Sequence, residues 1–210
     1  MENKIIYYNI PIELWRHLLD GGGSAAMVLD RVKRFIDGKY YRTEPQIIEG
    51  ASGIFFSIKK EAFDAMIEVA DKPSELLSFI GFCALKSIAG KRRNTFISTS
   101  NGLFVARMAG FNKWDDLKAA TAEEIGETIY RLTRTTGQRQ FQDNCRKIRE
   151  IIAGRYTTIT FQPSPTNRGF EFKISKYTQQ GGGFDISELT QDKGGYPYKI
   201  APAEAFIERL

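Results

Sequence analysis

The chain of 210 residues contains few of the residue types from which most catalytic and metal sites are built. It has one histidine, His17, and two cysteines, Cys83 and Cys145. It therefore has no Cys/His zinc pattern and no HExxH helix. A glycine-rich phosphate loop is also missing, because Gly90-Lys91 is followed by Arg92 rather than by Ser or Thr. We expect neither a metal site nor a cofactor.

Long apolar runs are missing as well. The longest, Leu76 to Leu85, is interrupted by Ser78 and Gly81 and is far shorter than the roughly 20 residues that span a bilayer. The N-terminus lacks the basic region, apolar core and cleavage site of a signal peptide. Both cysteines occupy apolar positions and are interpreted as reduced core residues, with a disulfide or a reactive thiol as the alternative. We expect a cytoplasmic protein without a membrane partner.

Positive charge is concentrated in the middle of the chain. The formal net charge is +5, and 42% hydrophobic with 26% charged residues is typical of a globular protein. Between Lys86 and Arg155, fourteen Lys or Arg stand against seven Asp or Glu, so this segment carries +7 and the remainder −2. A localised basic segment is the first indication of an anionic partner.

The first 72 residues predict an α+β extension or small domain. Apolar spacing and turn residues give its elements. They are a strand over 4–10, a short helix from Pro11, a helix from Ser24 to Asp37 ended by Gly38, a hairpin of strands over 45–48 and 53–59, and an amphipathic helix containing Phe63, Met66, Ile67 and Ala70.

A second group of elements runs from Pro73 to Tyr177. It begins with a helix that is apolar almost all round and ends at Gly90, which predicts burial on several sides. The further predicted elements are a basic turn over 91–94, a helix from Asn101 to about Gly110 capped by Ser98, Thr99 or Ser100, a loop over 112–116, a helix over 121–134, a helix over 138–153 closed by Gly154, and strands over 156–161 and 170–177.

The segment Thr99-Ser-Asn-Gly-Leu-Phe-Val-Ala-Arg-Met-Ala-Gly-Phe111 resembles the second helix of winged helix-turn-helix domains, and the hairpin after Gly154 resembles their wing. With the basic turn, the order resembles the DNA-binding domains of bacterial plasmid replication initiators and related regulators. The resemblance implies an α+β fold with a winged-helix domain over 73–177, an additional N-terminal α/β layer or small domain over 1–72, and a C-terminal extension over 178–210. It departs from the pattern at 114–136, where an additional helix is predicted.

The helix over 138–153 is the preferred DNA-reading helix, because it is the more basic and directly precedes the hairpin; the helix over 121–134 is the alternative. The face opposite its apolar side carries Arg139, Asp143, Arg146, Lys147 and Glu150, flanked by Gln140 and Gln142. Arg, Lys and Gln side chains suit phosphates and base edges in a major groove. The competing interpretation is a solvated helix supported by ordinary i,i+4 ion pairs.

Two further groups are candidate DNA contacts. The cations Lys91, Arg92 and Arg93 with the hydroxyls of Ser98, Thr99 and Ser100 are candidates for gripping the phosphate backbone. Asn167 and Arg168 lie at the predicted hairpin tip and are candidates for a phosphate or the adjacent minor groove. The alternatives are a solubilising loop, helix caps and a polar turn.

These patterns predict a non-catalytic protein that binds double-stranded DNA, and the resemblance implies that it acts in plasmid-like replication initiation or transcriptional control. The N-terminal portion is a candidate for forming a homodimer, which two-fold DNA sites favour. The alternative is a protein-interaction or assembly module whose basic strip docks an acidic partner and whose aromatic residues, including Trp15 and Trp114, line an interface. A nucleic-acid-processing enzyme using Tyr7-Tyr8 or Tyr40-Tyr41 is weaker, because the sequence lacks a metal-binding histidine cluster.

Overall fold

The structure is a computed structural model and describes residues 7–40, 53–68, 72–134, 137–156, 158–165 and 169–175. It combines helices with two small antiparallel sheets, so the α+β prediction is confirmed. The strands are β1 (Tyr7–Pro11), β2 (Phe55–Lys59), β3 (Ile97–Thr99), β4 (Ile159–Pro163) and β5 (Phe170–Ile174). The helices are α1 (Gly22–Tyr40), α2 (Lys60–Glu68), α3 (Pro73–Ala89), α4 (Asn101–Met108), α5 (Trp114–Ala119), α6 (Ala122–Ile125), α7 (Glu127–Arg134) and α8 (Gln138–Arg155).

Strands β1 and β2 form the N-terminal sheet. They run antiparallel with Ile10 opposite Phe56 and Tyr8 opposite Ile58, and these four side chains are buried. The sequence predicted that β2 pairs with a strand over 45–48 in a hairpin; that segment lies outside the described residues. The short helix predicted from Pro11 is present as two 3-10 helices, Ile12–Trp15 and Leu18–Asp20, and Pro11 itself ends β1.

Two glycines that were predicted to end helices lie inside them instead. Helix α1 starts before Ser24 and runs through Gly38 to Tyr40, and α8 runs through Gly154 to Arg155. A glycine within a helix costs only about 1 kcal/mol relative to alanine, so tertiary packing overrides it. At the end of α8 that packing comes from Tyr156, whose ring stacks on Phe82 with centroids 4.4 Å apart.

Helix α3 lies at the centre of the core, as its apolar composition predicts. Every residue from Leu76 to Leu85 is buried, and the helix ends at Gly90, which has a φ of 58°. A Cβ on Gly81 would collide with the Ile152 side chain of α8, so glycine allows the two helices to approach closely. The hydrophobic core is continuous from Ile10 in β1 to Phe172 in β5.

A three-stranded sheet has the strand order β3-β5-β4 and is antiparallel throughout. The hairpin of β4 and β5 agrees with the prediction, although its strands are shorter at both outer ends. Strand β3 was not predicted, because Ser98 and Thr99 looked like helix caps. Its residues pair with β5, with Ile97 opposite Phe172 and Thr99 opposite Phe170.

The segment between α4 and α8 differs most from the prediction. The expected loop over 112–116 contains the start of α5, and the helix expected over 121–134 is broken into α6 and α7 at Gly126. The break has a tertiary cause: Asp20 Oδ1 accepts from the Thr128 amide at 3.0 Å, and a Cβ on Gly126 would collide with the Asp20 carboxylate. Ile125, Ile129 and Leu132 are nonetheless buried together in the core, in agreement with the predicted apolar face.

None of the helices in the described ranges has the length and apolarity needed to cross a bilayer. Cys83 and Cys145 are free thiols in the core, which confirms their interpretation as reduced core residues.

Candidate nucleic-acid interface

Helix α8 has one buried and one exposed face. The buried face packs in the core and contains Cys145, Ile148 and Ile152, which are all 0% exposed. Phe141, one turn before Cys145, is half-buried against Trp114, with ring centroids 5.3 Å apart. This packing fixes the rotation of α8 about its own axis, so the opposite side chains point to solvent.

The exposed face contains every side chain that was proposed from α8 as a DNA contact. These residues are Arg139, Gln140, Gln142, Arg146 and Lys147, and all of them are exposed. Gln140 donates a hydrogen bond to Asn144 at 3.0 Å. The face therefore presents cations and amides together along slightly more than two turns of helix.

Acidic residues on the same helix partly neutralise this face. Arg146 pairs with Asp143 at 3.3 Å and with Glu150 at 3.8 Å. The expected pair between Arg146 and Glu150 thus forms, whereas Asp143 pairs with Arg146 rather than with Arg139. These pairs are exposed and are worth at most about 1 kcal/mol each, so a phosphate can compete for Arg146.

Arg149 is a residue that the sequence did not single out. Its Nη1 donates to Asn101 Oδ1 at 2.6 Å, and its guanidinium lies over the Phe170 ring, 4.3 Å from the centroid. Burial lowers the pKa of the guanidinium from its ordinary value, and arginine nevertheless stays charged at neutral pH. Arg149 thereby joins α8, α4 and β5 through one cation, at the border between the buried and exposed faces.

Two cavities open on either side of Arg146 and Arg149. The sheet-side cavity, about 350 Å³, lies between α8 and the hairpin, where Phe161 and Phe170 line it. The helix-side cavity, about 700 Å³, lies between α8, the first turn of α4 and the start of α5. Arg146, Arg149 and Gly169 line both cavities.

The basic turn is separate from this face. Lys91 and Arg92 are exposed and Arg93 is half-buried; Arg92 donates to the Ala89 and Ile88 carbonyls at 3.2 and 3.0 Å, and Arg93 donates to the Gly90 carbonyl at 2.8 Å. The Asn94 amide donates to the Ile174 carbonyl, which places the turn at the C-terminal end of β5, whereas Phe170 lies at its N-terminal end. The two ends of β5 are about 13 Å apart at the rise of a strand.

The hydroxyls proposed as backbone contacts have different surroundings. Ser98 Oγ donates to Glu171 Oε1 at 2.6 Å, and this bond, with a second from Gln162, lowers the pKa of Glu171. Thr99 Oγ1 is buried without a partner in the described part of the chain. Ser100 Oγ accepts from the Leu103 amide at 3.0 Å and caps α4. Asn167 and Arg168 lie outside the described residues.

The other candidate sites are dispersed. Trp15 is 2% exposed and stacks on Phe56 at 5.1 Å, so it does not contribute to an interaction surface as the alternative function required. Tyr8 packs edge-on against Phe63, whereas Tyr7 is exposed; the side chains of Tyr40 and Tyr41 are not described. Within the described ranges, no group of three or more His, Cys, Asp or Glu side chains is placed to hold a metal ion.

Comparison of the chain with models of protein families, with curated proteins and with solved structures finds no match.

Proposed function

We propose that the chain is a non-catalytic, sequence-dependent DNA-binding protein of winged-helix type, in which α8 enters the major groove and the β4–β5 hairpin is the wing. The observation that carries the proposal is the exposed face of α8, where Arg139, Arg146 and Lys147 stand beside amide side chains on a helix whose other face is fixed in the core. Arginine and glutamine supply the donors that read guanine and adenine edges, and lysine neutralises phosphates.

The arrangement around α8 supports the same proposal. A long helix, a short strand, the capped helix α4, the long helix α8 and two hairpin strands occur in this order, with α5, α6 and α7 between α4 and α8, and the short strand joins the hairpin in the order β3-β5-β4. Apart from the short strand, which was not predicted, this is the succession from which the resemblance to winged-helix domains was drawn, and α5, α6 and α7 occupy the segment where the chain departs from that pattern. Arg149 links α8 to α4 and to β5, which would hold the reading helix at a defined angle to the hairpin.

The biological setting is part of the proposal and rests on the resemblance alone. It would be plasmid-like replication initiation or transcriptional control in a bacterial cytoplasm. A homodimer is proposed on the same basis, because a two-fold DNA site would then be matched by two copies of α8.

The proposal is tested by measuring DNA affinity as a function of salt. A mixed-sequence duplex of about 30 base pairs, or three helical turns, is immobilised, and binding is followed by surface plasmon resonance. We expect Arg139→Ala/Arg146→Ala/Lys147→Ala to weaken binding by more than about a hundredfold near 0.1 M salt. If the three cations contact three phosphates, the slope of log K against log salt should fall by about 2.7.

The matched control removes the same charge elsewhere. Lys33→Ala/Arg34→Ala/Lys60→Ala changes the net charge equally, on helices α1 and α2, and we expect only a small, non-specific loss. Equal losses in both variants would contradict the assignment of α8, and absence of wild-type binding to any duplex at low salt would contradict recognition of double-stranded DNA. Selection from a random-sequence library then tests sequence dependence, and Gln142→Ala should change the selected sequence more than the affinity.

A further inference from the structure

The two cavities beside α8 differ from a surface that only grips duplex DNA, because aromatic rings line both of them. In the sheet-side cavity Phe161 is half-buried, and its ring meets Phe170 edge-on with centroids 5.8 Å apart. Ala153, facing the hairpin from α8, is a small residue that leaves this space open. The cavity therefore offers an apolar, aromatic surface large enough for a planar ring.

The helix-side cavity repeats this chemistry with other rings. Trp114 and Phe141 both line it, at an interplanar angle of 34°. Gly102 in the first turn of α4 permits this placement, since a Cβ there would lie 2.9 Å from the Trp114 ring. The indole is thus held flat against α4 at the wall of the cavity.

Arg146 and Arg149 lie between the two aromatic surfaces and line both cavities. An unpaired nucleic-acid strand has a matching order of groups: a planar base, a negatively charged phosphodiester and the next planar base. Proteins bind such strands with aromatic rings on which bases stack and with cations along the backbone. The bases of an intact duplex are stacked on each other and are not available to enter the cavities.

We propose that this double cavity binds two successive nucleotides of an unpaired strand, one base in each cavity, with Arg146 and Arg149 at the phosphodiester between them. The inference rests on the proposed function, because both assign nucleic-acid binding to side chains of α8. It adds that the protein binds locally opened DNA in preference to intact duplex. Asp143 and Glu150 stand beside Arg146 and would be displaced from it, whereas Arg149 keeps its bond to Asn101 and still has N–H groups to donate.

The test compares a perfect duplex, the same duplex with an unpaired bulge of two nucleotides, and a single-stranded oligothymidylate of about 12 nucleotides. We expect wild-type protein to bind the bulged duplex about tenfold more tightly than the perfect one, because stacking of even one base on an aromatic ring has an effect of that size. Ala153→Leu, which fills the sheet-side cavity, should remove this preference and leave the affinity for perfect duplex unchanged.

Two controls separate the cavity from general effects of substitution. Ala26→Leu makes the same change on the exposed face of α1 and should keep the preference. Phe161→Leu keeps an apolar side chain without a ring and should weaken binding of the bulged duplex and of the oligothymidylate several-fold. Thermal unfolding verifies that each variant is folded. If Ala153→Leu does not fold, Phe161→Leu alone tests the inference.

The outcomes distinguish this inference from the proposed function. Duplex binding without preference for the bulge would overturn the inference and leave the proposed function standing. Binding of the oligothymidylate without binding of perfect duplex would support the inference and overturn duplex recognition by α8. A preference for the bulge that survives in both cavity variants would place the unpaired nucleotides elsewhere and overturn the inference.

Discussion

Helices α3 and α8 are almost equally long, with 17 and 18 residues, and they pack against each other, yet their surroundings are opposite. Helix α3 is buried on all sides from Leu76 to Leu85, and even its Lys86 ammonium is directed inward, where it donates to the Ser57 carbonyl. Helix α8 buries one face and leaves Arg139, Arg146 and Lys147 in solvent, with the half-buried Arg149 at the border. This difference indicates separate roles for the two helices: α3 stabilises the fold, and α8 carries side chains that a partner can reach.

The largest effect that would distinguish the helices is on stability. Phe79 in α3 is 2% exposed and meets Trp15 edge-on at 6.1 Å, so Phe79→Ala should lower the free energy of unfolding by about 3–5 kcal/mol. Gln142→Ala on the exposed face of α8 should change it by less than about 0.5 kcal/mol. Urea denaturation measures both, and similar losses in the two variants would break the comparison.

A smaller effect concerns the buried cation of α3. Burial lowers the pKa of Lys86 from its ordinary value of 10.5. Between the lowered pKa and 10.5 the unfolded chain binds more protons than the folded protein, so the free energy of unfolding rises with pH in that window. Charged Lys86 therefore costs stability below the window, and each pKa unit of lowering corresponds to about 1.4 kcal/mol.

The measurement is the difference in free energy of unfolding between wild type and Lys86→Met, followed from pH 7 toward 10.5. This difference should shift in favour of wild type as the pH rises, and other groups, including Tyr156, cancel in it. Lys33→Met, on the exposed side of α1, provides the control and should show no such shift. A flat difference for Lys86→Met would mean that its ammonium is solvated.

The smallest effect uses one thiol from each helix. Cys83 in α3 and Cys145 in α8 are buried, and burial raises the pKa of each to about 12. Both thiols are therefore protonated at about pH 8, and we expect iodoacetamide to modify neither in the folded protein, as measured by mass spectrometry. Denatured protein is the positive control. Fast modification of Cys145 alone would show that α8 separates readily from α3.

The parts of the fold that depend on local pattern were predictable from the sequence. The apolar composition of α3, its stop at Gly90, and the division of α8 into two faces all follow from residues within a few turns of one another. The contacts that break or pin these elements join distant residues. Asp20 meets Thr128 across 108 positions and Arg149 meets Asn101 across 48, and no short window contains both partners.

The same distinction applies to the candidate interface. Sequence spacing correctly placed Arg139, Gln142, Arg146 and Lys147 on the solvent side of α8. It did not show how Arg92 and Arg93 are used: the turn has the denser charge, but these guanidiniums donate to carbonyls at the end of α3. These local hydrogen bonds orient the two guanidiniums, and their acceptors are set by how the helix ends.

The positions of the two tryptophans allow ligand binding to be followed by intrinsic tryptophan fluorescence. Trp15 is buried beside Phe56, with 2% of its surface exposed, so its emission should stay constant while the fold persists. Trp114 forms part of the wall of the helix-side cavity, where a stacked base would quench it. A fall in total emission to a constant residual level would therefore report occupancy of that cavity without any attached dye, with Trp15 serving as the internal reference.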